Sequence, residues 1–251
     1  MKPWPYPALV AHRGGGSLAP ENTLASIRLG QSLGYRMHEI DVKLTKDEVP
    51  FLLHDSTLDR TTSGQGPSSE RTWQELCGFD AGHWHSEAFR GERLASFEAA
   101  AQLLREKHTL INVEIKPSPG FEARTGEVVG KATEKFWQGA AVPPLFSSFS
   151  FEALMSAKRA APHVPRGVLT QEIVGDDWAR LDELEAVSVH TDHRTLTTES
   201  LERAKSKGLR VLLYTINDPE VARRWFDAGV DSIVTDNLAE FARRFPEALG
   251  A

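Results

Sequence analysis

Cysteine is nearly missing from this chain: Cys77 is the single one in 251 residues. One thiol makes no intramolecular disulfide, and thiolate-held metal clusters are excluded. Long apolar runs are missing too, and none approaches the roughly 20 residues that cross a bilayer. Pro3, Pro5 and Pro7 break the N-terminal segment, and the apolar stretch behind it, residues 8–11, is a poor signal peptide. A cytoplasmic protein with no stable membrane association is expected. There is no surplus of positive charge either: 29 Lys and Arg face 35 Asp and Glu, a formal net charge of −6. That balance gives no reason to expect a nucleic-acid partner. It does not bar an anionic small molecule, because a local cluster of cations outweighs a weak global field. The sequence has no G-x-G-x-x-G turn after a strand and no Gly-Lys-Ser/Thr loop, so the usual nucleotide-binding loops are absent.

The chain does carry enough apolar residues, 40%, for a sizeable core. Short β-rich runs alternate with longer amphipathic ones. Strands are expected at 8–11, 38–42, 110–115, 145–147, 167–169, 186–189, 211–214 and 232–234, and helices at 23–34, 96–107, 123–136, 151–161, 177–184, 198–207, 219–228 and 238–245. Gly208 and Gly229 close two of these helices, and Asp218-Pro219 opens another. Eight strand-helix units in one chain of this length fit a (β/α)8 TIM barrel, an α/β fold, better than an open sheet. Residues 1–251 are expected to form one catalytic domain, as a monomer or homodimer. The rhythm breaks once. An extra short strand at 49–53 precedes residues 56–94, which are too long for an ordinary loop. They read as a small insertion after the second barrel strand, lying over the catalytic face and shaping the substrate pocket. The other reading is a surface excursion with its own aromatic cluster of Trp73, Phe79, Trp84 and Phe89.

The chemistry sits at strand ends. His12-Arg13-Gly14-Gly15-Gly16 follows the first apolar run, and Pro20-Glu21-Asn22-Thr23 precedes a helix. The rigid fork of Arg13 suits a pair of phosphate oxygens. Asn22 either hydrogen-bonds the phosphate, orients a metal ligand or caps the helix, a role it shares with Thr23. In the second strand Glu39 and Asp41 point one way while His38, Ile40 and Val42 point the other. In the third, Asn112, Glu114 and Lys116 share a face. Glu114 completes a three-carboxylate set with Glu39 and Asp41, a set of hard oxygen ligands for one divalent metal ion, Mg²⁺ or Ca²⁺. Lys116 binds a phosphate oxygen beside it or pairs with Glu39 or Asp41. His12 and His54 have the chemistry of an acid-base pair; their order is open. His83 and His85 in the insertion, and His190 and His193 after the sixth strand, are further candidates to contact substrate. Asp236 ends the eighth strand or caps the last helix.

These segments, together with Ser147-Ser148-Phe149, Tyr214-Thr215-Ile216-Asn217 and Gly229-Val230-Asp231 with Thr235-Asp236, resemble bacterial glycerophosphodiester phosphodiesterases, close to the cytoplasmic form associated with glycerol phosphate uptake. They span almost the whole chain in the family's order. The resemblance implies hydrolysis of deacylated phospholipids, such as glycerophosphocholine or glycerophosphoethanolamine, to glycerol 3-phosphate and an alcohol. It implies a metal on Glu39, Asp41 and Glu114, acid-base roles for His12 and His54, and phosphate binding by Arg13 and Lys116. One departure is visible: Tyr214 stands where the family commonly has tryptophan. An aromatic wall is kept and a hydroxyl added, which bears on the head group.

Three other readings compete. A phospholipase D acting on lysophospholipids or sphingolipids would use the same acids and histidines but needs an apolar entry surface. A non-catalytic phosphate-binding barrel would tolerate loss of His12, His54 or an acid, and all are present. An isomerase or aldolase would need Lys116 in an apolar pocket.

Overall fold

The computed structural model describes residues 4–250. The reading of the proline-broken start falls in part on residues 1–3, which lie outside the described residues. The order is β1 (Leu9–Ala11), α1 (Leu24–Ser32), β2 (Met37–Leu44), β3 (Pro50–Leu52), α2 (Trp73–Leu76), α3 (Phe97–Glu106), β4 (Leu110–Ile115), α4 (Glu122–Phe136), β5 (Leu145–Ser148), α5 (Phe151–Ala160), β6 (Arg166–Thr170), α6 (Gly175–Glu183), β7 (Ser188–Asp192), α7 (Thr198–Ser206), β8 (Arg210–Tyr214), α8 (Pro219–Asp227), β9 (Ser232–Thr235) and α9 (Leu238–Arg244).

Apart from β3, the strands pair in parallel, and β1 closes the ring by pairing with both β2 and β9. This is the expected (β/α)8 barrel. The extra strand β3 runs antiparallel to β2, with Leu52 opposite Val42. Alternation along the strands builds two layers of core. Ile40 and Val42 of β2, Val113 and Ile115 of β4 and Ile233 of β9 face outward and pack with the helices. Val10, Met37, Leu145, Leu212 and Val234 face inward, and Tyr6 joins them. The helices start where short polar side chains replace the missing backbone partners: Thr23, Ser150, Thr197 and Asp218 each accept a hydrogen bond from an amide two or three residues on. Thr23, not Asn22, is therefore the cap of α1. Among the described residues, no helix is long and apolar enough to cross a membrane.

β7 corrects the expected boundary. It begins at Ser188, and it runs on through His190, Thr191 and Asp192, beyond the expected end at residue 189. Polar residues read as a loop, yet here they pair in register with Leu212, Leu213 and Tyr214 of β8. The upper barrel interior is polar because it faces a site.

The insertion has a core of its own, with Leu58, Leu76, Ala81 and Leu94 packing on Phe51 and Leu53 of the β3 segment. Trp73 and Phe79 join this core, but Trp84 and Phe89 do not. They flank His85 instead, with ring centroids 5.7 and 5.4 Å away.

Candidate active site

The loop after β1 is shaped for close approach. Gly14 has φ +94, and a Cβ there would collide with the Ser26 hydroxyl. Arg13 and Asn22 also occupy the left-handed region, at φ +49 and +58. Such backbone is strained for a residue with a Cβ and persists only where its surroundings fix it. The fixing bonds are visible: the Ser26 hydroxyl and the Asn22 backbone N–H both donate to the Arg13 carbonyl, at 2.9 Å each. His38, fully buried on the opposite face of β2 from the acids, secures the same loop. Burial pushes its pKa down to about 4, so the ring is neutral, and Nδ1 lies 3.0 Å from the Gly14 carbonyl.

Glu39, Asp41 and Glu114 meet at the C-terminal end of the barrel. Asp41 and Glu114 are paired across β2 and β4, and the three residues each offer a carboxylate oxygen within 4.8 Å of the others. Burial raises the Glu39 pKa most, with the Asp41 charge adding to it. Glu114 is raised for the same two reasons. Burial also works against Asp41, but Lys116 and Arg13 hold it well below the usual carboxylate range. One Glu39 oxygen, Oε1, is buried without a hydrogen-bond partner. Buried carboxylates this close repel unless a cation compensates them. The oxygen-only set, the orphaned Oε1 and the mutual spacing fit a hard divalent cation.

Two cations border the acids. Lys116 Nζ donates to Glu114 Oε1 at 2.8 Å and lies 3.5 Å from Asp41 Oδ1. Arg13 Nη1 donates to Glu21 Oε1 at 2.8 Å, and its Nε lies 3.6 Å from Asp41 Oδ2. Asn22 does not line the cavity. Its amide is committed to Asp41, donating to Oδ2 at 2.8 Å and accepting from the Asp41 amide at 3.0 Å. Of its sequence-level roles, orienting an acid is the one this geometry supports.

Both candidate acid-base histidines are backed by a carboxylate. His12 Nδ1 lies 2.6 Å from Asp236 Oδ1, and His54 Nδ1 lies 2.7 Å from Asp55 Oδ1. A carboxylate at Nδ1 fixes the proton on that atom and leaves Nε2 to work. Burial would strip His12 of its proton, but the Asp236 hydrogen bond and the charges of Glu39 and Asp236 more than offset this and raise its pKa. At His54 burial wins and the pKa is lowered. Asp236 is itself held by Asn217, which donates to its Oδ2 at 3.1 Å and accepts from its amide at 2.7 Å. By sequence alone Asp236 is a strand end or a helix cap. Its place at the rim after the last strand was the signal that could have found it.

His12, Arg13, Glu39, His54, Glu114 and Lys116 line one cavity with Asn112, Ser147, Phe149, His190 and Tyr214. Asp41 lies beneath them, 1% exposed. The Tyr214 hydroxyl donates to the Thr170 carbonyl at 2.8 Å, and its ring stands edge-on to Phe149. The hydroxyl hydrogen is thus spent on backbone, and the ring forms the wall. His190 is on the cavity, neutral because burial pushes its pKa down to about 3. His83, His85 and His193 are not on it; His85 Nε2 instead meets the Ser17 carbonyl. None of residues 56–94 lines the cavity. Sequence reasoning missed Lys43, which shares the inward face of β2 with Glu39 and Asp41. It is 1% exposed, donates to the Lys116 carbonyl at 3.2 Å, and burial lowers its pKa to about 8. The period of two that picked out the acids also reaches Lys43.

Known proteins resemble this chain along most of its length. Residues 12–240 match the sequence profile of the Glycerophosphoryl diester phosphodiesterase family. The chain is 35% identical over 233 residues to a glycerophosphodiester phosphodiesterase of Caldanaerobacter subterraneus subsp. tengcongensis, covering 91% of this chain and 93% of that one. A phosphodiesterase of Oleispira antarctica, solved in complex with the product sn-glycerol-3-phosphate, superposes with a TM-score of 0.90 at 31% identity, covering 96% and 97% of the two chains. A glycerophosphodiester phosphodiesterase from Agrobacterium tumefaciens gives 0.77 at 27% identity, covering 94% and 99%.

Proposed function

Because the chain belongs to the glycerophosphoryl diester phosphodiesterase family, we propose that it works as one catalytic domain in which a single cavity carries out every step of glycerophosphodiester hydrolysis. The reaction releases sn-glycerol 3-phosphate and an alcohol. The observation that carries the assignment of roles is the convergence of His12, His54, Arg13, Lys116 and two of the three clustered acids on that cavity.

A divalent cation, Mg²⁺ or Ca²⁺, bound by Glu39, Asp41 and Glu114 would withdraw charge from the phosphoryl oxygens. Arg13 and Lys116 bind those oxygens from either side and stabilise the charge that grows in the transition state. Asn22 keeps Asp41 in place. His54, the imidazole more easily kept neutral, takes a proton through Nε2. His12, the one more easily kept charged, gives a proton to the departing alcohol. The proton acceptor acts on the substrate's own glycerol 2-hydroxyl, which attacks phosphorus and forms a cyclic phosphate. Water then opens the ring with the two histidines exchanging roles.

The direct test is release of sn-glycerol 3-phosphate from glycerophosphocholine and glycerophosphoethanolamine. Absence of that product with both would overturn the assignment. A substrate lacking only the 2-hydroxyl is expected to react far more slowly, and an unchanged rate would remove the cyclic route. Turnover of acylated counterparts tests the phospholipase D reading, and is expected to be much slower.

The opposite shifts at the two histidines predict a bell-shaped kcat/KM profile. Below the ordinary histidine value of 6.5, activity falls as His54 gains a proton. Above that value it falls as His12 loses one. Asp236→Asn removes what holds the His12 proton, so the alkaline limb moves to lower pH while the acid limb stays. An unmoved alkaline limb in that variant would take His12 out of the acid role.

A further inference from the structure

Residues 56–94 are not among those lining the cavity, yet the insertion reaches the residues that do through Arg60. Arg60 lies just after the start of the 56–94 segment, and its guanidinium spans two carboxylates. Nη1 and Nη2 donate to Glu21 Oε2 and Oε1, at 2.8 Å each. Nε and Nη2 donate to Asp55 Oδ2 and Oδ1, at 2.6 and 3.1 Å. Both carboxylates look the other way into the site: Glu21 Oε1 also accepts from Arg13 Nη1, and Asp55 Oδ1 from His54 Nδ1. One planar fork therefore sits behind the phosphate-binding arginine and the proton-transferring histidine together.

We propose that Arg60 is a positioning residue that couples the insertion to both functions, setting the orientation of His54 through Asp55 and of Arg13 through Glu21. The proposal rests on the roles given above to His54 and Arg13. The physical case is one of geometry and charge. Glu21 without Arg60 is a free carboxylate whose best remaining partner is Arg13, so it competes with the substrate phosphate for that guanidinium. Asp55 without Arg60 is free to rotate away from Nδ1, and the imidazole loses the contact that fixes its tautomer. A lysine cannot replace Arg60, because a single ammonium has no fork with which to grip two carboxylates in a plane. Arg60 is itself 45% exposed at the side chain, so its ion pairs add little to folding stability. Its value lies in the orientation of the two groups beyond it.

The test separates the two arms. Arg60→Met is expected to lower kcat and raise KM by about tenfold each, with Arg60→Lys close behind, because outer partners of functional groups cost roughly 10- to 100-fold when removed. In an Asp55→Asn background the kcat part of the Arg60→Met effect should vanish. In a Glu21→Gln background the KM part should vanish. Circular dichroism and thermal melting of Arg60→Met should match the parent; Arg60→Lys, which keeps the charge and most of the length, carries the same comparison if the methionine variant is unstable. Parental kcat and KM in both Arg60 variants would overturn the proposal, as would full additivity with Asp55→Asn and Glu21→Gln. His54→Ala measured alongside keeps the two levels apart. If His54→Ala retains parental turnover, the underlying reading fails. If it is inactive while Arg60 variants are unaffected, only the role of Arg60 fails.

Discussion

Replacing His12 or His54 by alanine is expected to reduce turnover of a glycerophosphodiester by about 10²- to 10⁴-fold, the usual worth of a positioned acid or base, while leaving the fold intact. Neither ring belongs to the apolar core, and their side chains are 18% and 31% exposed. Each alanine leaves its former partner supplied. The Asp236 carboxylate keeps its hydrogen bond from the Asn217 side chain, and Asp55 keeps Arg60. The loss should therefore appear in kcat and not in the melting temperature. The leaving group tells the two histidines apart. A diester that departs as a weakly basic phenolate has little need of a proton donor, so it should recover much of the activity lost in His12→Ala. The same diester should recover little in His54→Ala, where the proton acceptor is missing. Near-parental turnover with an ordinary alcohol in either variant would remove that histidine from the mechanism.

Thorough chelation should abolish activity, and Mg²⁺ or Ca²⁺ should restore it, with Glu39→Gln unable to respond. Charge stabilisation of several kcal/mol is at stake; a loss of about 4 kcal/mol corresponds to roughly a thousandfold in rate. Glu39 is the informative position because glutamine has the same shape. Its Oε can still accept from the Arg13 amide, as Glu39 Oε2 does at 3.1 Å. The change also removes one of three buried, mutually repelling carboxylates. The metal-free variant should thus melt no lower than the metal-free parent, and only the parent should melt higher when the cation is added. Activity fully resistant to metal removal would overturn the role of the three acids, and an equal metal-induced rise in both proteins would place the cation elsewhere.

Much of the site was legible because it obeys one rule of local geometry. A period of two puts Glu39 with Asp41, and Asn112 with Glu114 and Lys116, wherever those segments form strands. The same rule put His38 on the other face, where it braces the first loop. What resisted reading was of two kinds. Asp236 meets His12 only across the closed ring, and Arg60 reaches Glu21 from 39 positions away, so nothing adjacent in sequence announces these partners. The end of β7 was hidden because His190-Thr191-Asp192 has the polarity of a loop, and only its pairing with β6 and β8 makes it a strand.

The amino-acid sequence alone determined the strand-helix alternation, the family and the chemical types assembled at the strand ends, since propensity, periodicity and local motif are properties of neighbouring residues. The tertiary structure alone decided which of those groups stand side by side. Closing the ring through β1 and β9 sets His12 against Asp236, 224 positions away along the chain, and the register of β2 against β4 sets Asp41 opposite Glu114. Contact with Asp236 and Glu39 raises the His12 pKa while burial lowers that of His54, because both effects depend on distance and burial in space and not on separation in sequence.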